Sequence, residues 1–187
     1  MLICYLVRHG ETEWNLKKIH QGHMDSPLTD KGKEDAEEKG KILQNRGIKI
    51  IYSSDLGRAS QTAEIINSFL HLPVSYISKL RERNFGVCNG RPAAEVEKAL
   101  GDFWDLNKAP QGGENLHQIR DRALSFITEL ERKETGPVLI VTHEGPTRIV
   151  LSEILHKEMS ECATNQGFIG RFVVENGRLK NFEFIRH

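Results

Sequence analysis

No apolar run in this sequence approaches the ~20 residues that a membrane helix needs. The N-terminal run Leu2–Val7 is short and has no basic lead, which disfavours a secretory signal and makes a cytoplasmic soluble protein, with no membrane partner, the expectation. Cysteine is sparse. Cys4, Cys88 and Cys162 are odd in number and far apart, which argues against a disulfide framework and for a reducing compartment. Neither Cys-x-x-Cys nor His-Glu-x-x-His spacing occurs, so no dedicated metal site is expected. A surplus of one charge is also missing: 26 basic residues face 26 acidic ones, so nothing calls for nucleic acid as a partner. Net charge does not exclude a local cluster of cations that binds a small anion. There is no repeat, low-complexity stretch or linker. With 187 residues, 38% of them hydrophobic, the chain can build one domain with a sizeable core.

What is present is an alternation of apolar runs and helical periodicity. Leu2–Val7 reads as a buried strand that ends in Arg8-His9-Gly10. Residues 13–28 are polar and irregular. Thr29 is placed to cap a charged helix over Lys31–Asn45, whose charges suggest a solvated face. Ile48–Tyr52 reads as a strand, and Asp55 as the cap of the next helix, whose Leu56, Ala59, Ala63, Ile66 and Leu70 share one face. Val74–Ile77 is a candidate strand and Ala93–Leu100 a short helix. Leu116, Ile119, Ala123, Phe126, Ile127 and Leu130 mark a longer helix. Val138–Val141 is a strand running into Thr142-His143, followed by a helix from about Pro146 to Leu155. Phe168–Val174 and Leu179–Ile185 flank Asn176-Gly177, a two-residue hairpin signal. The pattern implies an α/β fold, a three-layer αβα sandwich whose mostly parallel sheet has helices on both faces and a C-terminal antiparallel hairpin.

In such sheets ligands bind outside the carboxyl ends of the strands. Three predicted strand ends carry chemistry there: Arg8-His9, Ser53-Ser54 leading to Arg58, and His143. The loop around Glu82 adds a carboxyl group. These residue types suit phosphoryl transfer from a monoester. Arg8 and Arg58 offer forked, charge-assisted hydrogen bonds to phosphate oxygens, and a protonated His143 adds another donor. His9 can attack phosphorus. A protonated Glu82 can supply the leaving alkoxide with a proton and then deprotonate water. With the cations built in, the scheme requires neither metal nor cofactor.

At this point the residues resemble a known family, the histidine phosphatase superfamily, in its phosphoglycerate-mutase-like branch. Arg8-His9-Gly10-Glu11-Thr12 with Trp14-Asn15 is similar to the signature around that family's nucleophile. Gln21-Gly22 and Asp25-Ser26-Pro27-Leu28-Thr29 resemble its second block, and Ser53–Ala63 its phosphate-binding arginine block. Arg81–Gly86 resembles the proton-donor segment, and Val141–Gly145 the segment of the second histidine. The resemblance implies that His9 is phosphorylated and that Glu82 donates and accepts the proton. It also implies that Arg8, Arg58 and His143 bind phosphate with help from Asn15, Gln21 and Gly22, with Thr12 a weaker candidate at the rim. A substrate cap is expected around 84–115.

The sequence departs from the family pattern at Glu144, where many relatives have a small residue; a carboxylate there reaches the pocket or faces solvent. Asn165-Gln166-Gly167 matches the family's turn only loosely, and Gln166 receives no role. The short segment between Glu82 and His143 resembles the small phosphatases of the branch, such as α-ribazole and broad-specificity enzymes, more than its longer mutases. The expected activity is therefore metal-independent hydrolysis of a small phosphorylated substrate. The alternatives are a phosphoglycerate mutase or bisphosphatase, or a regulatory module that binds phospholigands without turnover. His20, His23, His71, His117, His156 and His187 read as surface or structural. Trp104 and Phe103 either line a cap or cover the core, and the edge hairpin could pair two copies in a homodimer.

Overall fold

The computed structural model describes residues 1–185; His187 lies outside them. In chain order the elements are β1 (Leu2–Arg8), α1 (Glu13–Leu16), β2 (Ile19–His20), α2 (Asp30–Leu43), β3 (Ile50–Ser53), α3 (Gly57–Leu70) and β4 (Val74–Tyr76). They continue with β5 (Arg91–Pro92), α4 (Ala93–Leu100), α5 (Leu116–Lys133), β6 (Val138–Thr142), α6 (Glu144–Leu155), β7 (Ile169–Glu175) and β8 (Arg178–Phe184). Six strands form one sheet in the order β4-β3-β6-β1-β7-β8. The first four of that order are parallel; β7 runs antiparallel to β1, and β8 antiparallel to β7.

The period-two alternation of side chains assigns the two faces. Leu2, Cys4 and Leu6 of β1, with Val138 and Ile140 of β6, pack against Phe126, Ile127 and Leu130 of α5 and Val150 and Leu151 of α6. Tyr5 and Val7, with Leu139 and Val141, face Ala36 and Leu43 of α2 and Ala59, Ala63 and Ile66 of α3. Because β1 and β6 are covered on both sides, they read in sequence as unbroken apolar runs. The hairpin turns at Asn176 (φ 53°) and Gly177 (φ 72°), the paired positive angles that a two-residue turn requires.

Three local expectations are corrected. Residues 13–28 are not wholly irregular. Thr12 and Asn15 form a reciprocal capping box that starts α1, and Ile19–His20 pairs with Arg91–Pro92 in a second, two-stranded sheet. Helix α6 begins at Glu144 rather than at Pro146. The α2 charges are not all solvated, because Lys39 is 2% exposed and its Nζ donates to the Arg8 carbonyl at 2.8 Å. Lys39 lies on the same stripe as Gly32, Ala36 and Leu43, all buried.

The first turn of α2 rests directly on the chain leaving β1. A Cβ on Gly32 would lie 2.1 Å from the Glu11 carbonyl oxygen. Alanine normally improves a helix interior by about 1 kcal/mol over glycine. Here the backbone contact reverses that sign, and Gly32→Ala is expected to lose about 1–3 kcal/mol in urea unfolding. Lys39 gives a pH-dependent prediction. Burial, with Arg8 nearby, lowers its pKa to about 7, against a smaller opposing effect of Asp35. The unfolded chain keeps that proton up to about pH 10. Stability should therefore rise with pH from about 7 toward 10, where only the unfolded state is protonated, and be lowest below 7. Lys39→Met should flatten this slope and gain on the order of 2 kcal/mol at pH 6. Urea unfolding at pH 6 and pH 9 compares the two chains.

Candidate active site

Three strand ends are stitched into one edge by the backbone. Arg8 lies beside Thr142 in register, and the His9 N–H donates to the Thr142 carbonyl at 2.9 Å. The Ser54 N–H donates to the Val141 carbonyl at 2.9 Å, so the exits of β1, β6 and β3 are immediate neighbours. Above this edge is a cavity of about 460 Å³, and among its lining residues are Arg8, His9, Asn15, Gln21, Gly22, Arg58 and Glu82.

His9 is 3% exposed, and its Nδ1 lies 2.7 Å from the Gly10 carbonyl. A carbonyl only accepts, so Nδ1 carries the proton and Nε2 keeps a lone pair. The Arg58 Nε–H donates to that Nε2 at 3.3 Å. Burial first, then the charges of Arg58 and Arg8, hold the His9 pKa well below the usual imidazole range. The ring is thus a neutral base with its free nitrogen among cations.

Arg58 is buried, and its donors are met from the 22–25 loop. NH1 donates to the Met24 carbonyl and to Asp25 Oδ1, both at 2.8 Å, and NH2 to the Gly22 carbonyl at 2.9 Å. Gly22 has φ +53°, and a Cβ there would lie 1.8 Å from Asn89 Oδ1, so no other residue fits as closely. Asp25 also accepts the N–H groups of Gly57 (2.7 Å) and Arg58 (3.1 Å). It therefore caps α3 from a distant loop. The expected cap, Asp55, instead takes both ends of the Arg81 guanidinium, at 2.7 and 2.6 Å.

Arg8 is 7% exposed. Its NH1 donates to the Thr164 carbonyl at 2.8 Å and its NH2 pairs with Glu144 Oε2 at 2.9 Å. Arg8 Nε is buried with no hydrogen-bond partner, and so is His143 Nδ1. His143 is fully buried behind His9, with ring centroids 5.1 Å apart, and it does not line the cavity. Its Nε2 lies 2.7 Å from Ser54 Oγ. Ser54 Oγ also accepts the Leu56 N–H at 3.3 Å, so the imidazole, the hydroxyl and the start of α3 form one buried chain. The expectation of a protonated His143 is corrected: burial and then Arg58 hold its pKa well below the usual range, and it offers a neutral N–H donor.

Glu82 is not tied up by its flanking arginines. Arg83 donates from Nε, NH1 and NH2 to the carbonyls of Glu114, Phe103 and Lys108. The Glu82 carboxyl group instead receives the Gly145 N–H, at 3.1 and 3.2 Å, and the Arg83 N–H at 2.8 Å. Its backbone carbonyl accepts from Arg122 NH2 at 2.8 Å and lies 2.9 Å from His23 Nε2.

The remaining predicted residues divide. Asn15 and Gln21 reach the cavity, but much of their hydrogen bonding goes to the loop itself: Asn15 to Thr12, and Gln21 to Thr12 and Ser26. Thr12 is buried and does not line the cavity. Glu144, Phe103 and Trp104 do line it, and so does His20, which the sequence places near the pocket but marks as surface or structural. Among the described residues no group of three or more His, Cys, Asp or Glu side chains converges as metal ligands.

An open α/β sheet with a histidine-centred, cation-lined pocket at its carboxyl edge is the class of protein that this fold and site define. The pattern of the histidine phosphatase superfamily (branch 1) matches residues 4–176, and the chain belongs to that superfamily. It is 34% identical over 194 residues to the "Uncharacterized phosphatase PhoE" of Bacillus subtilis (strain 168), covering 99% of this chain and 95% of that one. It is 38% identical over 162 residues to "Probable phosphoglycerate mutase GpmB" of Salmonella paratyphi B, covering 83% and 75%. The solved structure of Bacillus stearothermophilus YhfR superposes with a TM-score of 0.86 at 32% identity, covering 96% of this chain and 94% of that one.

Asp25 joins a helix cap to the arginine nearest His9. Asp25→Ala should cost about 1–2 kcal/mol of stability, the worth of a good cap. It should also weaken binding of inorganic phosphate or vanadate, as read by calorimetry. Unchanged anion affinity would show that Arg58 is held without it.

Proposed function

We propose that the protein is a metal-independent phosphomonoesterase that works through a phosphohistidine on His9. The observation that carries this reading is the His9 ring: its proton is fixed on Nδ1 by the Gly10 carbonyl, and its free Nε2 lies 3.3 Å from Arg58 Nε beside the cavity. Two buried nitrogens without partners, Arg8 Nε and His143 Nδ1, belong to the same cluster. Buried polar nitrogens are nearly always satisfied in folded proteins, so a pair left over around His9 suits an anion that takes up their N–H groups.

In the proposed first step the His9 Nε2 lone pair forms a bond to phosphorus, and the bond from phosphorus to the leaving oxygen breaks. Glu82 gives its proton to that oxygen. In the second step water attacks the phosphorus, the bond to His9 breaks, and the Glu82 carboxylate accepts the water's proton. Inorganic phosphate leaves with His9 and Glu82 restored. Arg8, Arg58 and the neutral His143 N–H would meet the charge on the peripheral oxygens, with Asn15, Gln21 and Gly22 framing the same end. Residues 84–115 would form the cap over the leaving group.

The likeness to the GpmB sequence favours a second reading, in which the phosphoryl group returns to substrate rather than passing to water. Product analysis separates the two. Purified, chelator-treated protein should release inorganic phosphate from simple monoesters such as p-nitrophenyl phosphate. Labelling stopped in alkaline detergent should trap a base-stable, acid-labile phosphoryl group on His9, and His9→Ala should lose at least about 10³-fold in kcat. No release from a broad monoester panel would overturn the proposal. Because His9 stays neutral well into acid, kcat/KM corrected for substrate ionisation should keep its acidic limb below the ordinary imidazole range.

A further inference from the structure

The cavity has a cationic end and a remainder of different character. Beyond the His9–Arg58 cluster its walls are Ile19, His20, Phe85, Phe103, Trp104 and Leu116. His20 stacks on Phe103, with centroids 5.2 Å apart and planes 20° apart, and it also touches Phe85. The charged groups on this side are Arg83, Glu97 and Glu144. Arg83 is 2% exposed, lies against the rings of Phe85 and Phe103, and spends its donors on three carbonyls. It has little left for a ligand.

Glu144 occupies the boundary between the two ends. Oε2 faces Arg8 NH2 at 2.9 Å, and Oε1 accepts from Arg148 Nε and NH2 at 2.9 and 2.7 Å. Arg148 is itself held by the Met159 and Ser160 carbonyls and lies 4.7 Å from the Trp104 ring centroid. Arg83 is therefore matched to carbonyls, while Arg8 and Arg148 share the Glu144 carboxylate. A substrate with a carboxylate or second phosphate there would be desolvated against Glu144 and Glu97, and the one cation lining that wall, Arg83, is already engaged by carbonyls.

We infer that the site selects phosphomonoesters whose leaving group carries no negative charge and presents an apolar or aromatic surface, and that Glu144 is a specificity-determining residue. This rests on the reading that the cationic end binds phosphate. Specificity then comes from repulsion at one position as well as from attraction by the aromatic wall. Glu144→Gln isolates the charge. The amide keeps an oxygen for the arginines, and Arg8 NH1 keeps the Thr164 carbonyl, so the frame stays while the anion goes.

The experiment is calorimetric binding of two non-hydrolysable phosphonates, benzylphosphonate and 3-phosphonopropionate, to the intact protein and to Glu144→Gln. Because it reads binding, it does not depend on turnover. The native protein should bind benzylphosphonate at least about tenfold more tightly, and the substitution should narrow that ratio by about fivefold, chiefly by improving the carboxylated ligand. Equal or tighter binding of 3-phosphonopropionate to the native protein would overturn the inference while leaving the phosphate pocket intact. So would a ratio that Glu144→Gln does not move. Failure of both ligands to bind would overturn the phosphate pocket itself and the inference with it.

Discussion

The site depends on burying Arg58. A guanidinium that is 2% exposed is tolerable only if its N–H groups are met from several sides, because an unpaired buried charge costs several kcal/mol. The 22–25 loop meets that demand. It bends at Gly22 to turn a carbonyl toward the guanidinium, adds the Met24 carbonyl, and finishes with the Asp25 carboxylate that also caps α3. Of the donors that the loop leaves over, Nε points at His9. Loop shape, helix start and imidazole environment are thus one constraint seen at three places, and the Arg58 charge adds to burial in lowering the His9 pKa.

The sheet supplies the frame for that constraint. β1 and β6 are central and apolar on both faces, so their ends are set by two packed cores. Rigid strand ends hold Arg8, His9 and His143 within a hydrogen-bonded edge, while loops bring Glu82 and Gly22 to them. The backbone that carries Glu82 is also fixed from beneath: Arg122 of α5 bonds the Lys79, Arg81 and Glu82 carbonyls while held by Glu114. A reaction step at His9 would lean on an arginine that never enters the cavity.

Much of this was legible in the sequence for a physical reason. Strand ends are easy to find when central strands are unbroken apolar runs, and Arg8, His9 and His143 follow directly. Arg58, in the first turn after a strand end, and Glu82, in a nearby loop, are legible from the same pattern, whereas Gly22 came through the resemblance. What escaped was chemistry arranged across loops. Asp25 caps a helix more than thirty residues away in sequence, and no local pattern announces that; Asp55, next to the helix, was the natural expectation. The buried partner of His143 is Ser54, which looks like any strand-end serine. The pairing of Glu144 with Arg8 needs the turn from β6 into α6. Lys39 was legible in retrospect, since it falls on the buried stripe with Ala36 and Leu43, but the charges around it drew attention away from the spacing.

Arg83 has a consequence for engineering. Its one guanidinium reaches the carbonyls of Phe103, Lys108 and Glu114, three points along the segment that roofs the cavity, and its own backbone N–H holds Glu82. The roof and the Glu82 carboxyl group are therefore tied to a single residue, the one by its side chain and the other by its backbone. Exchanging the roof between relatives to transplant selectivity would succeed only if the incoming loop returned its three carbonyls to the same fork. A chimera that missed one would leave a buried cation short of an acceptor and disturb Glu82 at the same moment. Recombination in this part of the chain is then workable in one block, from Arg83 to Glu114, and not in smaller pieces.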